Sequence, residues 1–121
     1  MLNMIMNTYK TECAQFIAWC RPKLGIRGVI KVKLIHTPIQ VGAQRSFGYY
    51  DPNTQQIVIS CVDRHPTDVL RTLAHELVHL AQSQIRPLTN ADGVTGSDVE
   101  NSANALAGIL MRLWNTDPTR S

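Results

Sequence analysis

The chain lacks any long apolar run, and this absence argues against a membrane-spanning helix. No stretch approaches the roughly 18 consecutive apolar residues that such a helix needs, although apolar residues make up 44% of the 121 residues. The apolar start, residues 1–6, has neither the basic flank nor the length of a secretory signal. We therefore expect a cytoplasmic protein with no membrane partner.

Cysteine is scarce, and its spacing is not that of a structural framework. Cys13, Cys20 and Cys61 are an odd number and include no C-x-x-C pair. This pattern indicates neither a disulfide framework nor a cysteine zinc site. Buried thiols in a reducing compartment are the expected arrangement.

No segment concentrates charge of one sign. Twelve basic and nine acidic residues give a net charge of +3, and the basic residues are scattered without interleaved aromatics. A nucleic-acid partner is therefore not expected. A chain of 121 residues fits one domain, and we expect residues 117–121 to form a disordered tail.

Patterns of apolar residues predict three strands. They lie at residues 29–35, 43–50 and 56–62, which are rich in β-branched and aromatic residues. Asp51-Pro52-Asn53-Thr54 is a turn sequence, because proline fixes φ and the Asp and Asn side chains satisfy local backbone groups. We therefore expect the last two strands to form a hairpin.

Helical spacing of apolar residues predicts three helices around these strands. The first covers residues 3–20 and is closed by Pro22, the second begins near Pro66 and ends near Arg86, and the third ends near Trp114. Residues 90–96 read as a loop. The expected fold is α+β, with a small, mainly antiparallel three-stranded sheet packed on the three helices.

The second helix carries the run His75-Glu76-Leu77-Val78-His79. Residues i and i+4 share one helix face, so His75 and His79 can converge on one metal ion. Glu76 lies about 100° further round the helix, close enough to reach a metal-bound water without ligating the metal. The pattern is that of a zinc site with a glutamate as general base, and a chance occurrence on an amphipathic helix is the alternative.

No histidine follows His79, so the candidates for a third ligand after this helix are Asp92, Asp98, Glu100 and Asp117. Glu100 is favoured, since it lies on a helix that otherwise reads as buried, where a carboxylate needs a partner. Asn104, one turn further on, is placed to orient a ligand by a hydrogen bond. Two alternatives remain: Glu100 only closes a capping box that Ser97 begins, or Asp98 is the ligand.

These residues resemble the gluzincin clan of zinc metallopeptidases, and the segment from Glu100 to Met111 is similar to that of the ImmA/IrrE family. The resemblance implies His75, His79 and Glu100 as ligands of one zinc ion, and Glu76 as general base. It also implies that a protein or peptide substrate adds to edge strand 43–50. Val78 and Arg112 depart from the family pattern, which often has glycine and proline there.

The expected function is therefore a zinc-dependent metallopeptidase that hydrolyses peptide bonds. A non-catalytic, zinc-stabilised protein-binding module of the same fold is the alternative, although such a module does not need Glu76. Oxyanion or substrate contacts have four further candidates, for each of which a structural role competes: Tyr49, Tyr50, His65 and Arg45.

Overall fold

The structure is a computed structural model that describes residues 2–86, 88 and 96–118, and only the backbone of residues 2–8, 41 and 44. The helices of this part of the chain are α1 (Leu2–Leu24), α2 (Pro66–Ile85) and α3 (Asp98–Thr116). Its strands are β1 (Lys31–Ile35), β2 (Ile39–Val41), β3 (Gln44–Ser46), β4 (Gly48–Asp51) and β5 (Gln56–Ser60). The α+β class is confirmed. None of the described helices has the length and apolar character needed to cross a membrane.

The main sheet has three strands in the order β1-β5-β4, with β5 parallel to β1 and antiparallel to β4. The predicted hairpin therefore forms between β4 and β5, and its turn contains the hydrogen bond from Asn53 N–H to Asp51 Oδ1 (2.9 Å). The single strand predicted for residues 43–50 is wrong. The chain changes partner at Phe47, because β3 pairs with β2 in a separate two-stranded sheet while β4 joins the main one.

The first helix continues through Pro22 instead of closing there. Gly25 ends it with a φ of +65°, and Ile26 N–H donates to Arg21 O at 3.1 Å. A left-handed glycine followed by this bond is a Schellman cap. Ile26, the residue after this glycine, is buried in the core. The helix thus ends where a glycine can turn the chain, and its proline is tolerated in the last turn.

Strand β4 lies unusually close to α2 because Gly48 has no side chain. A Cβ at this position would lie 2.8 Å from Thr72 Cγ2, 2.9 Å from Ile59 Cδ1 and 3.0 Å from Val58 O. Real Cβ atoms do not approach their neighbours so closely. Gly48 therefore sets the separation between the edge strand and the helix that carries the histidines.

Aromatic rings join the first and last helices. The ring of Trp114 lies 5.1 Å from that of Phe16 and 5.3 Å from that of Trp19, both in edge-to-face geometry. The Trp19 indole N–H donates to Asp117 Oδ2 at 2.9 Å. Asp117, assigned to a disordered tail from the sequence, is thus held by α1, whereas residues 119–121 of that tail lie outside the described residues.

Candidate metal centre

Helix α2 begins at a cap that His65 provides. The His65 ring Nδ1 accepts a hydrogen bond from Thr67 N–H at 3.1 Å, and Pro66 follows at the first helical position. His65 therefore caps the helix, and this is the structural role that was the alternative to a substrate contact for this residue. From there, apolar residues on the inner face bury the helix, and they include Leu73, Ala74, Leu77 and Val78.

The two motif histidines lie side by side on α2. Their ring centroids are 4.6 Å apart and the rings are nearly perpendicular, at 84°. Nε2 of His75 lies 2.5 Å from Glu100 Oε1, and Nε2 of His79 lies 3.1 Å from Glu100 Oε2. The structure therefore brings both histidines and Glu100 together across the contact between α2 and α3.

Local structure at the start of α3 aims Glu100 towards α2. Ser97 is the N-cap residue, and its hydroxyl accepts a hydrogen bond from Glu100 N–H at 3.1 Å. This bond is one half of the capping box, which was the alternative to metal binding as the role of Glu100. Both oxygens of the Glu100 carboxylate nevertheless contact imidazole nitrogens. Asp98, the other candidate ligand, is exposed.

Glu76 is buried beside the first histidine. Its Oε1 lies 3.0 Å from His75 Nδ1, on the other side of the ring from the Nε2 that faces Glu100. Its Oε2 is buried and has no hydrogen-bond partner among the described residues. Burying a carboxylate oxygen without a hydrogen bond is unfavourable. Glu76 Oε2 can therefore accept a hydrogen bond from one further donor.

Two carboxylates determine the protonation of His75. Burial by itself would lower the pKa of this imidazole, but hydrogen bonding and charge attraction from Glu76, together with the charge of Glu100, outweigh it and raise the pKa. The same negative potential that favours a proton on the ring also favours a metal cation between the side chains.

Gln82 is the residue that the sequence reasoning missed. Its Oε1 lies 2.9 Å from His79 Nδ1, and its Nε2 donates to Val99 O at 3.1 Å. The amide thus orients the His79 ring and ties it to α3. Asn104, to which this kind of role was assigned from the sequence, is exposed on α3. The available signal was spacing, because Gln82 lies three residues after His79 on the same helix face.

The remaining candidates from the sequence have other contacts. The Ser83 hydroxyl donates to Leu80 O at 2.7 Å, so the Tyr50 hydroxyl donates to Ser83 Oγ at 2.9 Å. Ser83 lies one turn after His79, and Tyr50 therefore packs against the same helix as the histidines. Tyr49 is 45% exposed. The Arg45 guanidinium lies 5.8 Å from the centre of the Phe47 ring.

The donor set is one that suits zinc. One ligand atom from each of His75, His79 and Glu100 lies within 4.8 Å of the others. Tetrahedral ligands at about 2.0–2.1 Å from zinc are about 3.3–3.4 Å apart, so the present contacts of 2.5 Å and 3.1 Å need only a small opening. Two imidazoles and one carboxylate also match the ligand types of catalytic zinc sites.

Comparison with known proteins identifies no protein that is similar to this chain. No protein family, curated protein or solved structure matches the chain. The function of the chain is therefore inferred from the side chains of the site and their chemistry.

Proposed function

We propose that this protein is a zinc-dependent metallopeptidase of the gluzincin type, which hydrolyses peptide bonds in protein or peptide substrates. One observation carries the proposal. His75 and His79 of α2 present their Nε2 atoms to the same carboxylate, that of Glu100 on α3. Beside them lies the buried Glu76, one oxygen of which has no hydrogen-bond partner in the described part of the chain. These are the ligands and the base that such a reaction requires.

His75, His79 and Glu100 would hold the zinc ion. When bound, zinc lowers the pKa of a coordinated water from 15.7 to about 7 and polarises the carbonyl of the scissile bond. Each histidine is already oriented through its other nitrogen, since Glu76 contacts His75 Nδ1 and Gln82 contacts His79 Nδ1. Both Nε2 atoms consequently face the same point without rearrangement of the rings.

Glu76 acts in this proposal as the general base. It accepts a proton from the attacking water and passes that proton to the amine that leaves. Its side chain is 7% exposed, and this burial keeps bulk water from competing for the carboxylate. Oε2 has no hydrogen-bond partner among the described residues, and Oε1 lies on the side of the His75 ring away from Glu100, so this role requires the Glu76 side chain to turn towards the metal-bound water.

The free edge of β4 is the proposed substrate site. In the described part of the chain, β4 pairs only with β5, and the bond from Ser60 N–H to Phe47 O fixes which residues face that partner. Pairing in an antiparallel ladder alternates, so the main-chain groups of Gly48 and Tyr50 point to the free edge. An extended peptide would pair there, alongside the helix that carries the histidines.

A reducing compartment such as the cytoplasm is part of the proposal. Cys13, Cys20 and Cys61 are all free and buried, which is typical of proteins whose thiols are kept reduced. Nothing in their arrangement competes with the zinc site for metal, because the described metal-ligating group contains no cysteine.

A second candidate function is a protein-binding module whose zinc ion has only a structural role. It is favoured by the contact between Glu76 Oε1 and His75 Nδ1, because a carboxylate in this position can orient a ligand instead of acting as a base. The two functions differ in what Glu76 is needed for. An orienting carboxylate affects zinc affinity, whereas a general base affects the rate of hydrolysis.

The variant Glu76→Gln tests the proposal. Zinc content is measured after reconstitution, and hydrolysis is followed with a mixture of quenched fluorescent peptides, with Glu12→Gln as a matched control. The metallopeptidase predicts about one zinc per chain, hydrolysis by the parent and the control, and loss of hydrolysis with zinc retained in Glu76→Gln. Zinc binding without hydrolysis by the parent would favour the binding module, and a chain that takes up no zinc would contradict both functions.

A further inference from the structure

Helix α3 has an outer face that no described part of the chain covers. Its inner face is buried through Ala103, Ala107, Leu110, Met111 and Trp114. On the opposite side, Leu106, Ile109 and Leu113 are 41%, 46% and 46% exposed. We call this side of α3, from Asp98 to Arg112, the outer face. Apolar side chains at such helical spacing are typical of a surface that docks on another helix.

Charges occur only at the two ends of the outer face, and they have opposite signs. Asp98 and Arg112 are both exposed, and neither forms an ion pair with another described residue. The one other charged residue between them is Glu100, which contacts the histidines of α2 instead. Asp98 and Arg112 each lie seven residues from Ala105, which is close to two helical turns.

This symmetry makes the outer face complementary to itself. If a second α3 packs antiparallel with a two-fold axis at Ala105, Asp98 lies opposite Arg112 of the partner subunit, and the reverse pair forms as well. A contact of this kind is isologous and closes as a dimer. A parallel arrangement would instead place each charge beside its like, which is unfavourable.

The flanks of the outer face also match in the antiparallel arrangement. Leu106 and Leu113 lie on one flank, while Asn101, Asn104 and Asn115 lie on the other. A two-fold axis perpendicular to both helices brings each flank against its own copy. Apolar side chains therefore meet apolar ones, and amides meet amides, with Leu106 on the same flank as Leu106 of the partner subunit.

Small residues along the middle allow the two helices to approach closely. Ser102, Ala105 and Gly108 occupy this stretch, and all three are exposed. A Cβ on Gly108 would meet nothing within 4 Å among the described residues, so no contact in that part of the chain explains a glycine there. Glycine weakens a helix interior, and close contact with another helix is a reason to have it.

We propose that the outer face of α3 forms an antiparallel two-fold homodimer. A helix of 19 residues is about 28 Å long, and a single pair of such helices forms a small interface. We therefore expect a weak dimer, at the low end of specific association. Glu100 points away from the interface towards α2, so dimerisation leaves the candidate metal centre free and does not depend on the proposed function.

Sedimentation equilibrium over a range of chain concentrations tests the dimer. The parent is expected to change from monomer to dimer as concentration rises. Ala105→Glu, which places two carboxylates at the two-fold axis, is expected to stay monomeric. The control is Val29→Glu, a change at an 81% exposed apolar residue away from α3, which should dimerise like the parent. A parent that stays monomeric up to several hundred micromolar would overturn the proposal.

A charge exchange tests the orientation. Arg112→Asp puts like charges opposite each other and should weaken the dimer by roughly tenfold or more, while the double variant Asp98→Arg with Arg112→Asp should recover it. Circular dichroism verifies that each variant is folded. Failure of the double variant to recover association, with the fold intact, would exclude the antiparallel arrangement. Zinc content should stay at the parent's value in Arg112→Asp.

Discussion

Gln82 contacts His79 on the side of the ring opposite Glu100. The Gln82 Oε1 lies 2.9 Å from His79 Nδ1, and the amide Nε2 donates to a carbonyl of α3. Nδ1 faces an acceptor oxygen and can donate its proton to Gln82, and in this tautomer the Nε2 lone pair is available for a metal ion held with Glu100. A single amide thus favours the tautomer in which Nε2 can bind a metal, and it ties His79 to the helix that carries the third ligand.

Replacing Gln82 should therefore weaken zinc binding without removing a ligand. We expect Gln82→Leu to lower the zinc affinity by roughly 10–100-fold, as the loss of such partners typically does, in a competition titration against a coloured chelator. Gln84→Leu is the matched control, because Gln84 also makes two hydrogen bonds, but to Arg27. Equal affinities in the two variants would show that Gln82 does not orient the ligand.

Glu100 and Asp98 provide a second pair of variants. Glu100→Gln removes the carboxylate that contacts both histidines, and we expect a loss of zinc affinity greater than that of Gln82→Leu. Asp98→Asn changes an exposed carboxylate two residues away and should leave affinity unchanged. The readout is thermal stability with and without zinc, since a ligand at 100 times its Kd stabilises the native state by about 2.7 kcal/mol. A larger loss in Asp98→Asn would reassign the third ligand.

Gly48 should tolerate no side chain. A Cβ would lie 2.8 Å from Thr72 Cγ2 and 3.0 Å from the backbone oxygen of Val58, so we expect Gly48→Ala to lower the free energy of unfolding by about 1–3 kcal/mol. Urea denaturation measures this value. The addition of Thr72→Ser removes the Cγ2 atom while keeping the hydroxyl that Arg64 contacts, and should recover part of the loss.

Gly108→Ala should change the free energy of unfolding in the opposite direction from Gly48→Ala. The Cβ of an alanine there meets no atom of the described residues within 4 Å. This change should therefore stabilise α3 by about 0.5–1 kcal/mol at concentrations where the chain is monomeric. A stabilising Gly48→Ala would contradict the close approach of β4 to α2.

The buried thiols should be unreactive in the native protein. Burial raises the pKa of both Cys13 and Cys20 to about 12, and it also raises the pKa of Cys61. Because the thiolate is the reactive form, we expect slow alkylation by iodoacetamide at pH 8, and rapid reaction of all three thiols in urea. Rapid labelling of the native chain would show that these cysteines are accessible.

The same shifts predict how stability depends on pH. The folded state keeps the thiol protons of Cys13 and Cys20 up to a pKa of about 12, whereas the ordinary value is 9.0. Their contribution to stability is therefore complete below about pH 9 and is lost as the pH rises from there towards 12. Urea denaturation should show a smaller decline between pH 8 and 10 in Cys20→Ala than in the parent.

Local patterns in the sequence were sufficient for the elements that depend on near neighbours. The cap and proline at the start of α2 and the turn between β4 and β5 lie where they were predicted, because each is set by residues within a few positions. The end of α1 lies beyond the position predicted from Pro22, because Gly25, whose positive φ turns the chain, ends the helix. The α+β class followed from the order of these elements.

The sequence by itself determined that two histidines share one helix face, since four residues along a helix return to the same side. Only the tertiary structure decided what lies opposite them. The packing of α3 on α2 brings Glu100 to both Nε2 atoms and leaves Asp98 in solvent, and it gives Gln82 instead of Asn104 the contact with His79. The spacing of residues fixes faces along a single helix, but the angle and offset between two helices depend on side chains from the whole core.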